Sequence, residues 1–328
     1  MMKPLVLYHA GCPDGFAAAW SAWRKFGDEA EYRAVSYGDP PPDDLQGRDV
    51  YILDFSYLPE FIDKMADEAN QLVLLDHHKS AAEQFSAAWG AGVWERRRVM
   101  SGLAHWAWPK AIVKIAEGIS GAQLAWDHFH GRPGWGVPVP AGPRPWIIDY
   151  VADRDLWQWK LPKSREVNAY LRSLPHDFAV WDTLKYVGVP VSDEATWGAH
   201  YRLGEAILQS QEREIERAVR RARTVTWGRH SIGIAIVDFD GNPIEPTEAF
   251  VSYTSSVINV TENMSEALDR LCREPPHWAV GWYQAGDGRY RYSLRSRGEG
   301  PDVAKIAEQF GGGGHRNAAG FESDKLVF

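Results

Sequence analysis

The chain has 328 residues, more than one hydrophobic core readily organises, and its 45% apolar and 24% charged residues are the balance of a globular protein, not a disordered one. A net charge of -8 argues against broad binding of long duplex, whose affinity comes from neutralised phosphates, yet it allows a small phosphate-bearing ligand in a local pocket. Cys12 and Cys272 are the only cysteines, too few for a disulfide framework or a thiolate zinc site. No stretch approaches the ~20 apolar residues that span a bilayer, and the start has no signal-peptide layout, so a cytoplasmic location away from membranes is expected. The 16 tryptophans are spread along the chain and are read as packing.

Taken in order, a strand Leu5 to Tyr8 leads through Gly11-Cys-Pro-Asp-Gly15 into an alanine-rich helix, Phe16 to Phe26, and then a strand, Tyr32 to Tyr37. After the Pro-rich break at 38–44 come a strand Val50 to Leu53, a helix from near Ser56 to Ala69 with Pro59 in its first turn, and a strand Leu72 to Leu75. This alternation predicts an α/β fold with a parallel sheet covered on both faces. The pattern weakens between Phe85 and Trp108, where Arg96-Arg97-Arg98 is read as a solvated basic run. A helix is expected over Ala111 to His130, an irregular insertion over Gly131 to Pro143, and a helical piece over Trp146 to Ala152 that delivers Asp153-Arg154-Asp155.

Tyr201 to Arg223, with interleaved Glu and Arg and no Pro, reads as a long helix joining two domains. Beyond it a strand Ile232 to Phe239, a helix Glu262 to Arg273, a hairpin Trp278 to Tyr283 with Arg289 to Arg295 around Gly286-Asp-Gly288, and a helix Pro301 to Phe310 running into Gly311-Gly-Gly-Gly-His315 complete the chain. The expected organisation is an N-terminal parallel-sheet domain over 1–200, a connector helix over 201–226 and a smaller α/β C-terminal domain over 227–328.

The chemistry concentrates at strand ends. His9 and Asp14 follow the first strand, Asp54 the third, and Asp76-His77-His78 the fourth. In an open α/β sheet ligands gather outside the carboxyl ends of the strands, so these residues, distant in sequence, should converge. Hard oxygens with imidazoles suggest Mn²⁺, Mg²⁺ or Fe²⁺, one or two ions. Asp54 is a candidate bridge, Asp76 a candidate orienter of one imidazole, and the Asp153/Asp155 pair offers a further carboxylate. In the C-terminal domain, Gly311 to Gly314 could turn successive N–H groups toward one anion, with His315 adding a donor and Arg295 a planar fork.

These residues, His9 through Asp14-Gly15, Asp54, Asp76-His77-His78 and Asp153, resemble the ordered motifs of the DHH phosphoesterase superfamily. Ser293-Leu-Arg-Ser296 with Gly311-Gly-Gly-Gly-His315 and Ala318-Ala-Gly320 resembles its DHH-associated C-terminal substrate domain; segments near Phe85 to Lys110 and Gly131 to Pro145 are unmatched. The resemblance implies a manganese-dependent hydrolase in which His9, Asp14, Asp54, His77 and Asp153 hold metal and Asp76 and His78 serve catalysis. It implies that Arg295, Ser296, Gly312, Gly313, Gly314 and His315 bind substrate; the connector helix is expected to act as spacer and hinge if both domains close on the ligand. The expected activity is a phosphodiesterase or exonuclease acting on short oligonucleotides or linear or cyclic dinucleotides. A phosphatase on small nucleotides or polyphosphate, and a non-catalytic nucleotide-binding module, are the alternatives. The partner is then a short nucleic acid or nucleotide, and a homodimer stays open. Two departures stand out: Phe16 occupies the place where many relatives have a second Asp, and the His-to-Asp spacing is one residue longer, with Cys12 inside it.

Overall fold

The computed structural model describes residues 2–89, 104–107, 111–131, 144–184, 194–237 and 243–328, so the Arg96-Arg97-Arg98 run and most of the two insertions lie outside the described residues. The chain forms two compact units, Met1–Gln209 and Ser210–Phe328.

In the first unit, β1 (Leu5–His9), β2 (Glu31–Val35), β3 (Asp49–Leu53), β4 (Gln71–Asp76), β5 (Ala104–Ala107) and β6 (Ala111–Ile115) form one sheet in the order β2-β1-β3-β4-β6-β5. The first five in that order run parallel and β5 closes the edge antiparallel. A parallel strand is buried on both faces, which explains runs such as Leu72-Val-Leu-Leu75 without polar alternation. Leu5, Leu7, Ile52, Leu72 and Leu74 pack with Ile62, Met65 and Phe85 from α2 (Pro59–Glu68) and α3 (Lys79–Trp89). Val6, Leu53, Val73 and Leu75 pack with Ala18, Ala22, Leu124 and Ala125 from α1 (Pro13–Phe26) and α4 (Gly121–His130). Three further helices, α5 (Trp146–Asp155), α6 (Ser164–Ser173) and α7 (Phe178–Thr183), complete an aromatic-rich core around Phe16, Trp20, Trp181 and Trp197.

Several expected boundaries shift. The single helix expected over Ala111 to His130 is a strand followed by a helix. Ala111-Ile-Val-Lys-Ile115 pairs with β4, Gly118 turns the chain at φ +82°, and Ser120 starts α4 with a capping box to Gln123. The helix placed near Ser56 begins at Pro59, leaving Ser56 in the preceding loop. Three helices, α3, α6 and α7, had no counterpart in the sequence reading.

A long helix α8 (Glu194–Val219) ends before Arg223, and the division between the units falls inside it. In the second unit, β7 (Arg223–Val237), β8 (Pro243–Asn259), β9 (Trp278–Gln284), β10 (Tyr290–Ser296), β11 (Gly313–His315) and β12 (Ala318–Ser323) form a sheet ordered β11-β12-β10-β9-β8-β7. All neighbours are antiparallel except β8 and β9, which are joined by the crossover helix α9 (Met264–Leu271). The last helix, α10 (Val303–Glu308), packs Val303, Ile306 and Ala307 on Val280, Leu294 and Phe321. Ile215 of α8 packs with Ile258 and Ala267, so the C-terminal part of that helix belongs to this core.

Candidate metal centre

The strand order places a switch point between β1 and β3: from β1 the chain crosses to β2 on one side and later returns to β3 on the other. The crevice at the carboxyl end of such a pair is the ligand site of open α/β sheets. His9 ends β1, Asp54 follows β3, and Asp76-His77-His78 ends β4.

Asp54 is the hub. It is 1% exposed, and its backbone sits at φ +63°, a left-handed conformation costly for a residue with a Cβ and most often retained where a side chain must be aimed. His77 Nε2 stands 3.1 Å from Asp54 Oδ1 and His9 Nδ1 stands 3.5 Å from Oδ2. Neither carboxylate oxygen has a hydrogen bond of good geometry among the described residues. Burial pushes the Asp54 carboxyl up, but the imidazoles of His77 and His9 outweigh it and hold the group well below the usual carboxylate range.

Asp14 comes from the first turn of α1. Its oxygens accept the N–H groups of Gly121 at 2.6 Å and Ala122 at 3.2 Å, so it also neutralises the N-terminus of α4. Burial, then the charges of Asp54 and Asp155, push its carboxyl well above the ordinary value. The glycines permit this crowding: a Cβ on Gly15 would lie 2.4 Å from the His9 carbonyl oxygen, and one on Gly121 would lie 2.6 Å from Asp54 Oδ1.

Asp76 serves the two histidines. Its Oδ1 accepts the backbone N–H of His77 at 2.7 Å and lies 2.6 Å from His78 Nδ1, while Ser56 donates its hydroxyl to Oδ2 at 2.8 Å. Burial lowers the basicity of His78, and the Asp76 carboxylate more than restores it, leaving the imidazole above its ordinary pKa. His77 follows the same logic among Asp54, Asp155 and Asp14: burial opposes the imidazolium, the carboxylates prevail, and the ring is pushed well up.

Asp153 is not with this group. Its carboxylate accepts the backbone N–H groups of Lys160 at 2.9 Å and Leu161 at 3.2 Å, fixing the turn after α5. The carboxylate that stands with His77 is Asp155, whose Oδ2 is 3.6 Å from His77 Nε2. Both are at the end of α5, and two residues of helical advance turn one carboxylate into the turn and the other into the crevice.

One donor atom each from Asp14, His77 and Asp155 falls within 4.8 Å of the others, and the same holds for His9, Cys12 and Asp54. Buried carboxylates without full hydrogen bonding, gathered with imidazoles, are what a divalent cation would satisfy, so the residues present fit a metal centre. Phe16 contributes no polar group: it is 1% exposed and its ring stacks on His176 at 4.6 Å and on Phe178 at 5.0 Å. Tyr37 and Ser56 are site neighbours that sequence reasoning did not single out; the Tyr37 ring lies 5.1 Å from that of His9 and is 54% exposed.

In the second unit, the Arg295 guanidinium donates to Ser293 Oγ at 3.0 Å, the Leu294 carbonyl at 2.9 Å and Ser265 Oγ at 2.8 Å. Ser296 donates its hydroxyl to Asn317 Oδ1 at 3.1 Å. Part of the glycine run is taken up by main-chain pairing. Gly311 and Gly312 donate their N–H groups to the Glu308 and Ala307 carbonyls that end α10, while Gly313, Gly314 and His315 form β11 beside β12. Glycine is required here for close packing, since a Cβ on Gly312 would lie 2.1 Å from the Gly320 carbonyl oxygen.

Fold and site together define a two-unit α/β protein whose N-terminal sheet carries a candidate divalent-metal centre at its switch point. Residues 248–326 match the DHHA1 domain. The chain is 26% identical over 337 residues to an uncharacterized protein of Acanthamoeba polyphaga mimivirus, covering 96% of this chain and 66% of the relative. It thus spans just under two thirds of that relative's length. Two solved structures are similar: a pGpG-specific phosphodiesterase from Vibrio cholerae (12% identity, 98% and 92% of the two chains, TM-score 0.43) and RecJ with Mn²⁺ from Thermus thermophilus (13%, 98% and 50%, TM-score 0.43). Among the described residues, no helix is long and apolar enough to cross a membrane.

Proposed function

We propose that this protein is a metal-dependent phosphoesterase that hydrolyses phosphodiesters in short oligonucleotides or linear or cyclic dinucleotides. The observation that carries the reading is the convergence at one sheet switch point of His9, Asp54 and His77 from three strand ends, with Asp14 and Asp155 from two helices. These five residues would hold one or two divalent cations, which when bound supply Lewis-acid polarisation of a phosphoryl oxygen and acidification of water.

The chain's own groups do the rest. Asp76 fixes the His78 ring through Nδ1, so Nε2 is the nitrogen that can meet a phosphoryl oxygen. An imidazole made more basic by that carboxylate carries the positive charge that an in-line displacement at phosphorus needs as negative charge builds on the oxygens. Ser56 in turn holds Asp76, so the acceptor does not swing away. Burial of Asp14, Asp54 and His77 keeps competing water from these charges, which strengthens each interaction. In the DHHA1 domain we assign substrate recognition to Arg295, Ser296, Gly313, Gly314 and His315. The N–H of Gly312 is already spent on Ala307.

The test is turnover with added Mn²⁺, Mg²⁺ or Fe²⁺ on linear and cyclic dinucleotides, short single strands, mononucleotides and polyphosphate, with His77→Ala beside the unchanged chain. Cleavage of short diesters that disappears with His77→Ala is the expected result. Turnover only of monoesters or polyphosphate would replace the diesterase reading, and nucleotide binding without turnover on any substrate would end the catalytic one.

A further inference from the structure

We propose that Cys12 supplies a sulfur ligand to a cation held with His9 and Asp54, so that this half of the centre takes a thiophilic divalent ion such as Zn²⁺ or Fe²⁺ in preference to Mg²⁺. The inference deepens the proposed function, since it rests on a metal centre at this crevice. It also departs from the hard-oxygen and imidazole set that the sequence suggests.

The first observation is placement. A ligand atom of His9, the Cys12 sulfur and an Asp54 oxygen all lie within 4.8 Å of one another, close enough for one ion to reach the three. The second is unmet demand. Asp54 is 1% exposed with both oxygens lacking a hydrogen bond of good geometry, and His9 Nδ1 is likewise buried without one, so a buried negative group and a ring nitrogen both face the place where the thiol stands.

The third observation is what Cys12 does not do. It is the N-cap of α1, a position where Ser, Thr, Asn or Asp would accept a helix N–H, and its side chain makes no capping bond. Its backbone carbonyl alone serves the helix, accepting the Phe16 N–H at 2.9 Å. The turn that carries it is pressed onto the end of β1: Gly11 bends the chain at φ +67°, and Gly15 approaches the His9 carbonyl more closely than any Cβ would allow.

Position 16 completes the argument. Phe16 is buried in an aromatic stack, and Asp14 is committed to the N-terminus of α4 and to the group with His77 and Asp155. A cation at His9 and Asp54 therefore finds its third donor on this turn in the Cys12 thiol. One nitrogen, one sulfur and one oxygen form a borderline-soft set that suits Zn²⁺ or Fe²⁺ and is poor for Mg²⁺, which demands oxygen. On binding, the Cys12 S–H bond breaks, its proton leaves to solvent and the sulfur–metal bond forms; nothing is oxidised or reduced.

The full chain, stripped of metal and loaded with Co²⁺, gives the test. The expected spectrum has visible ligand-field bands and a near-ultraviolet sulfur-to-cobalt charge-transfer band. Cys12→Ser should abolish the charge-transfer band and keep the visible ones, and Cys272→Ser should keep both. Zn²⁺ affinity should fall about tenfold or more with Cys12→Ser while Mg²⁺ affinity does not. Visible cobalt bands without a charge-transfer band would overturn the role of Cys12 and leave the metal centre standing. Failure to bind Co²⁺ at all would remove the centre and this inference with it. If circular dichroism shows that Cys12→Ser does not fold, alkylation of the unchanged chain decides: Zn²⁺ should protect Cys12 from iodoacetamide, and equal labelling with and without Zn²⁺ overturns the proposal.

Discussion

Gly121→Ala tests the packing of the centre without replacing a proposed ligand. On general grounds the change should help, because replacing glycine by alanine in a helix gains about 0.5 to 1 kcal/mol. Here Gly121 is the first residue of α4, and the added methyl would lie 2.6 Å from both the Cβ and Oδ1 of Asp54, well short of the 3.4 Å where ordinary contact begins. Asp54 is buried and already held in a left-handed backbone conformation, so it has little room to yield. If α4 retreats instead, the Gly121 N–H loses its 2.6 Å bond to Asp14. Overpacking costs about 1 to 3 kcal/mol, and a hydrogen bond to a charged group is worth about 1.5 to 3 kcal/mol. Either route exceeds the helix gain, so the sign reverses. Urea denaturation followed by tryptophan fluorescence should show a lower midpoint, and calorimetric titration should show weaker divalent-metal binding. A variant as stable as the parent with unchanged metal affinity would refute the claim that Gly121 and Asp54 are in forced contact.

Asp155→Asn should weaken metal binding with little change in the denaturation midpoint. Asp153→Asn should do the reverse, because an amide offers one acceptor where the Lys160 and Leu161 N–H groups now have two, at a cost of about 1 to 3 kcal/mol. Equal effects of the two substitutions in both assays would contradict the separation of their roles. Asp76 is fully buried, and its carboxyl is lowered from 3.8 to about 2, with burial opposing and the charge and hydrogen bond of His78 prevailing. A depressed carboxyl contributes stability above its unfolded pKa that is lost as pH falls through the folded one, so metal-free protein should lose on the order of 2 kcal/mol between about pH 4 and pH 2 from this group. Asp76→Asn should flatten that acid limb, and an unchanged limb in a pH series of urea melts would count against it. Phe16→Ala should cost about 3 to 5 kcal/mol by emptying the aromatic stack with His176 and Phe178. A loss below about 1 kcal/mol in the same melts would show that the stack is not structural.

Local pattern was enough for the parallel sheet, because a buried strand announces itself as an apolar run and its end as a change to polar residues. That placed His9, Asp54 and Asp76-His77-His78 at neighbouring strand ends before any coordinates. Elements whose signal is diluted were not legible. Ala111 to His130 reads as continuous helix until pairing with β4 claims the β-branched start and the Ser120 capping box fixes where α4 begins. The long pair β7 and β8 was only partly seen, because strand partners distant in sequence leave no local trace.

The chain's sequence thus determined by itself which chemistry is present: carboxylates and imidazoles after apolar strands, with Cys12 and Phe16 on the segment that follows the first strand. Tertiary structure alone decided which carboxylate enters the crevice. Asp153 and Asp155 are chemically identical and two residues apart, and only the turn after α5, by offering two backbone N–H groups to the first, sends the second toward His77. It also decided that Cys12 stands beside Asp54 and that the glycine run closes a hairpin, because close approach between segments far apart in the chain is a property of packing.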